Sequence, residues 1–129
     1  MAILVKKNNR TEEDSFMANA IRIAELAAGI KAKDISAFDL RGLTLVADAF
    51  VIASATSEPQ MKAVVNAIKD GMREIGVSPL RTEGTHTAGW LLIDYGSIIV
   101  HVFREEAREF YNLDDMWADA KPIPLDLDA

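Results

Sequence analysis

Apolar residues recur at helical spacing between positions 16 and 28: Phe16, Ala20, Ile23 and Ala27 form one stripe, with Met17, Ile21, Ala24 and Ala28 beside it. Steps of three and four place such residues on one side of a helix. Residues 11–14 have the composition of its start, and Gly29 marks its end. The period then changes. Residues 35–40 alternate as a short strand, Arg41-Gly42 is a turn, and residues 47–54 form a second strand. The centre of that strand, Ala49-Phe50-Val51-Ile52-Ala53, is apolar on both sides, which predicts an interior position in a sheet.

A second helix is predicted from Ser57, whose hydroxyl can cap it, with Pro59 in the first turn and Gln60 at capping-box spacing. Met61, Val64, Val65, Ile68 and Met72 make its apolar stripe, and Gly76 supplies a left-handed stop. Residues 80–83, 90–94 and 98–103 read as three more strands. The last two are a hairpin joined by Tyr95-Gly96-Ser97. Residues 104–111 continue as a helix with a further turn near 114–118, after which Lys121-Pro122-Ile123-Pro124 predicts an end to regular structure. These elements define an α/β single domain with a mixed sheet of about five strands flanked by helices. Its expected limits are residues 15–120, with residues 1–14 an N-terminal extension and residues 121–129 a flexible tail.

At 129 residues the chain suits one core, and with half its residues hydrophobic that core can be substantial. Cysteine is absent, which excludes disulfides, thiolate zinc sites and cysteine nucleophiles. No apolar run approaches the roughly 18 residues that span a bilayer, and no secretory signal is evident, so the expected location is the cytoplasm. The formal charge of −6 disfavours broad binding to a phosphate backbone and favours a basic partner. Residues 104–129 concentrate the acidity, with eight acidic and three basic side chains.

Candidate chemistry is sparse. His86 and His101 have no spacing that makes a metal site, and a mid-strand His101 reads as structural. Ser54-Ala55-Thr56-Ser57 joins a strand to a helix N-terminus, where an anion could sit, but it lacks both glycine-rich phosphate signatures. Glu83 and Asp94 could form an acid/base pair or be carboxylates paired with Arg81 or Arg41. The hairpin is the unusual feature. Trp90, Leu92 and Asp94 alternate to one side, Leu91 and Ile93 to the other, so both sides are apolar and one carries a carboxylate. Either helices cover both faces or one face is a protein interface.

The segments Ala47-Asp48-Ala49-Phe50-Val51-Ile52-Ala53-Ser54-Ala55-Thr56-Ser57, Glu83-Gly84, Trp90-Leu91-Leu92-Ile93-Asp94-Tyr95-Gly96, Val100-His101-Val102-Phe103 and Arg108-Glu109-Phe110-Tyr111-Asn112-Leu113, with Trp117, occur in an order that closely resembles the ribosomal silencing factor family, RsfS or Iojap. The resemblance covers about residues 15–120. It implies a non-enzymatic translation regulator that binds ribosomal protein fourteen of the large subunit and sterically blocks joining of the small subunit. It also implies a nucleotidyltransferase-like topology, no cofactor or metal, no direct nucleic-acid readout and, as members are often seen, a homodimer. The partner-binding residues it points to are Trp90, Leu92, Asp94 and Tyr95, matching W-x-L-x-D-Y-G, together with Glu83. The competing expectation is a nucleotide- or metal-dependent transferase of the same topology, although no strand carries D-x-D.

Overall fold

All seven residues of Ala49–Ala55 (β2) are buried, so this strand needs neighbours on both edges and cover on both faces. The computed structural model, which describes the backbone of residues 2–127 and the side chains of residues 16–127, places it at that position. In chain order the elements are α1 (Ala2–Gly29), β1 (Lys33–Asp39), β2, α2 (Glu58–Arg73), β3 (Arg81–Thr85), β4 (Trp90–Asp94), β5 (Ile98–Arg104), α3 (Glu105–Tyr111), α4 (Leu113–Met116) and β6 (Lys121–Pro122). They build one mixed sheet in the order β3-β4-β5-β2-β1-β6. β2 and β5 run parallel at its centre, and the other neighbours are antiparallel.

The two faces have separate cores. On one, Ile23, Ala24 and Ala27 of α1 and Met61, Val64 and Ile68 of α2 pack on Val51, Ala53, Ile93, Val100 and Val102. On the other, Leu40, Phe50, Ile52, Ile99 and Phe103 lie with Ala107, Leu113 and Ala120, so α3 and α4 cover only part of this face. Trp90, Leu92 and Trp117 sit partly buried at its margin.

Helix α2 follows its sequence signals closely. Ser57 has extended backbone, and its hydroxyl accepts the Gln60 amide at 3.2 Å. The Gln60 carboxamide accepts from the Thr56 amide at 2.7 Å, one residue earlier than a standard capping box, and donates to the Lys31 carbonyl at 3.1 Å. The helix ends in a Schellman motif: Gly76 has φ +80°, its amide bonds to Arg73 and the Val77 amide reaches Met72. Replacing Ser57 with alanine should therefore cost about 1 kcal/mol, read from the urea midpoint; an unchanged midpoint would mean that Gln60 holds this end alone.

Three boundaries differ from the sequence reading. First, α1 starts at Ala2 rather than near residues 11–14, because no glycine or proline interrupts residues 2–28. Residues 2–14 thus continue the helix backbone. Second, its left-handed closing residue is Lys31, at φ +67°, with its amide on Ala28 and the Ala32 amide on Ala27, rather than Gly29. Third, the expected loose tail is ordered as far as residue 127. Lys121 and Pro122 pair with Asp39 and Phe38 as a sixth strand, the Ile123 amide bonds to the Ala37 carbonyl, and Ile123, Leu125 and Leu127 join the helix-covered core. The apolar positions between the prolines drive this docking; residues 128–129 lie outside the described ones.

Candidate functional site

Register in the sheet brings the candidate residues into rows on the less covered face. Thr85, Trp90, Phe103 and Ser54 are successive neighbours across four strands, as are Glu83, Leu92, His101 and Ile52, and then Arg81, Asp94, Ile99 and Phe50. Each row runs from an exposed edge strand into the buried centre. Trp90, Leu92, Asp94 and Glu83 therefore share one surface.

Trp90 is the hinge of this surface. Its indole Nε1–H donates to His101 Nδ1 at 3.1 Å, and its ring lies 5.1 Å from Phe103 and 4.6 Å from Tyr111. Tyr111 in turn meets Phe110 edge-on at 5.1 Å. A relay of rings thus leads from the fully buried Phe103 out to Phe110, which is 80% exposed. Beside Trp90 an open groove of about 360 Å³ is lined by Glu83, Gly84, Thr85, Ala88, Trp90 and Leu92. Gly84 shapes it: its φ is +89°, and a Cβ there would stand 2.2 Å from the Trp90 carbonyl oxygen, so only glycine lets β3 lie this close.

His101 explains how the indole is held. Only 4% of the residue is exposed, and burial lowers its pKa from 6.5 to about 4. It is neutral at pH 7, with Nδ1 free to accept from Trp90 and the proton therefore on Nε2. Nε2 is buried with no hydrogen-bond partner among the described residues, and the ring is packed between Phe50 and Phe103.

Two predicted residues behave differently from the rest. Asp94 has both oxygens engaged, one accepting the Gly96 amide at 2.7 Å and the other 3.2 Å from Arg81 Nε. It closes the hairpin turn and anchors Arg81, which is also 3.4 Å from Glu83. Tyr95 lies against the opposite, helix-covered core. Burial raises its phenol pKa, and its hydroxyl is buried without a partner among the described residues. Strand alternation already places Tyr95 with Leu91 and Ile93, so the structure separates it from the Trp90 surface.

Sequence reasoning missed Phe110 and Tyr111 as part of this surface. The signal available was a pair of adjacent aromatic residues on an otherwise charged helix. The strand-to-helix turn, by contrast, is filled from within: the Thr56 amide and hydroxyl both donate to Gln60 Oε1, and Pro59 has no N–H to offer. Few donors remain there for an anion. Among the described residues no three His, Asp or Glu side chains converge as a metal site would require, and no helix is long and apolar enough to cross a membrane.

The molecule is thus a small α/β sheet with one helix-covered face and an aromatic, partly uncovered opposite face. The sequence pattern of the family described as "Ribosomal silencing factor during starvation" matches residues 13–129. The ribosomal silencing factor RsfS of Bacillus subtilis is 41% identical over 107 residues, which cover 82% of this chain and 91% of that protein. The chloroplastic protein Iojap of Zea mays is 36% identical over 120 residues, 91% of this chain and 51% of that longer protein. The crystal structure of a Chromobacterium violaceum protein superposes with a TM-score of 0.71 at 30% identity, covering 81% of this chain and 85% of the other. The chain belongs to the ribosomal silencing factor family. Its family is one of translation regulators that act on the ribosome, and the α/β fold with a mixed sheet is the one its sequence predicts.

Proposed function

We propose that the chain binds ribosomal protein fourteen of the large subunit through the Trp90 face and, by its bulk, keeps the small subunit from joining, so repressing translation without catalysing a reaction. The observation that carries this reading is the aromatic relay Trp90, Tyr111 and Phe110 beside the groove. Rigid aromatic side chains with one side anchored and the other exposed are the usual anchors of protein interfaces. Glu83, exposed at the groove's rim, and the acidic residues 104–129 suit a basic partner surface and speed its approach. Leu92 extends the apolar contact, while Asp94 acts through the hairpin turn that it closes. Tyr95 serves the fold of that hairpin rather than the contact. The protein acts in the cytoplasm with the ribosomes, as a monomer or as a homodimer that exposes this face.

The test is co-sedimentation with separated ribosomal subunits, followed by a subunit-joining assay. Wild type should pellet with large subunits only and block joining. Phe110→Ala, at a site exposed enough to leave the fold intact, should weaken binding about tenfold, and Trp90→Ala by 30-fold or more, as interface anchors do. Equal binding by both folded variants would remove this face from the contact.

A further inference from the structure

We propose that β3 is a landing edge for an extended, basic segment of the partner, which adds alongside it as a seventh strand. The inference rests on the docking reading above and names the element of the partner that this face receives. Its basis is the contrast between the two ends of the sheet.

At one end, β6 covers β1 with only two residues. One of them is Pro122, Pro124 follows, and the intervening Ile123 turns its amide inward to Ala37. Prolines have no N–H to offer a further strand, so this end is closed. At the other end, all five residues of β3 are exposed, and among the described residues β4 is the strand's only neighbour in the sheet. No proline blunts it. An exposed strand edge of this kind presents main-chain groups that another strand can satisfy.

The chemistry along the edge says what would fit. Arg81, Glu83 and Thr85 point to the Trp90 side, in register with Asp94, Leu92 and Trp90. A single guanidinium, Arg81, is shared between two carboxylates at 3.4 and 3.2 Å, leaving a net negative charge centred near Glu83. A strand laid against β3 puts its own side chain roughly 5 Å from Glu83, where a lysine or arginine is stabilised and an acid is repelled. The groove bounded by Glu83, Gly84, Thr85 and Trp90 opens at this same edge. It can take an apolar side chain two residues along from the basic one, since alternate residues share a face. The partner element is therefore extended, with a basic and an apolar residue two apart.

The test uses the full chain and purified large ribosomal subunits, with backbone amide hydrogen exchange followed segment by segment. On binding, exchange in residues 81–85 should slow by about tenfold or more, as expected of amides newly hydrogen-bonded in a sheet. Glu83→Lys should weaken binding about fivefold or more, and Glu83→Gln less, with the difference shrinking at high salt. Unchanged exchange at 81–85, with protection confined to the Trp90 and Phe110 segments, would overturn strand addition while leaving the docking face standing. Protection at 81–85 that grows with protein concentration in the absence of subunits would assign the edge to a second copy and overturn the proposal. Failure of the wild type to pellet with large subunits would overturn the docking reading and this inference with it.

Discussion

Replacing Arg108 with methionine should destabilise the protein by about 2 kcal/mol, because the largely buried guanidinium makes several charged hydrogen bonds while its partner Asp114 stays partly exposed. Only 12% of the Arg108 side chain is exposed. From α3 its guanidinium donates to both oxygens of Asp114, at 2.9 and 3.1 Å, to the Ser54 hydroxyl at 2.9 Å, to the Ser36 hydroxyl at 3.4 Å and to the Asp34 carbonyl. One side chain thus joins α3, α4, the irregular start of β1 and the end of β2. Its hydrogen bonds hold the Asp114 carboxyl below the usual carboxylate range. Methionine keeps most of the volume but leaves the buried Ser54 hydroxyl and the Asp34 carbonyl without their donor. Urea unfolding measures the effect, and a loss under 1 kcal/mol would refute it. Adding Asp114→Asn should cost little more in the Arg108→Met background than it saves in unpaired charge, because the two residues act as one unit.

Acidification should weaken the fold through His101 ahead of the arginine-paired carboxylates Asp39 and Asp114. The ring titrates near 6.5 in an unfolded chain and at about 4 when folded, so the unfolded state binds the extra proton first. The sign follows directly. Above pH 6.5 both states are neutral and the full stability is present; as the pH falls toward 4 stability is lost, by about 3 kcal/mol over the interval. Below 4 the folded ring is protonated too, its Nδ1 becomes a donor facing the Trp90 N–H, and the indole loses its acceptor. Carboxylates lowered by arginines, Asp39 and Asp114, add their losses only below their ordinary value of 3.8. Unfolding free energy measured between pH 7 and 4 should slope downward in the wild type and be nearly flat in His101→Gln. Equal slopes in the two proteins would show that other groups govern acid sensitivity.

Much of this architecture was legible in the sequence because local signals and packing agree. The two-sided apolar run at residues 49–53 demanded a central strand and lies in one, Ala49–Ala55. Ser57, Pro59 and Gly76 punctuate α2 as their backbone chemistry requires. The hairpin at Trp90–Asp94 and Ile98–Arg104 follows from two β-rich runs around Gly96, whose φ is +87°. What escaped was non-local. A two-residue strand containing Pro122 carries no local sign of being a strand; it exists because Ile123 finds a slot beside Ala37. Phe110 and Tyr111 could be read as aromatic, but their meeting with Trp90 depends on α3 folding back over β5. Tyr95 shows two signals in one residue: the motif groups it with Trp90, whereas the two-residue period of the strand puts it on the other side, against the helix-covered core.

The closure of β1 by residues 121–127 also sets an order of events during synthesis. A ribosome making this chain releases the segment that seals the first sheet edge only after every other described strand has emerged. Until those residues clear the exit tunnel, β1 has an open flank, and a nascent chain stalled at that point would offer it to its neighbours. A protein of a family that acts on ribosomes thus completes its own sheet only after every other described strand of it has been made.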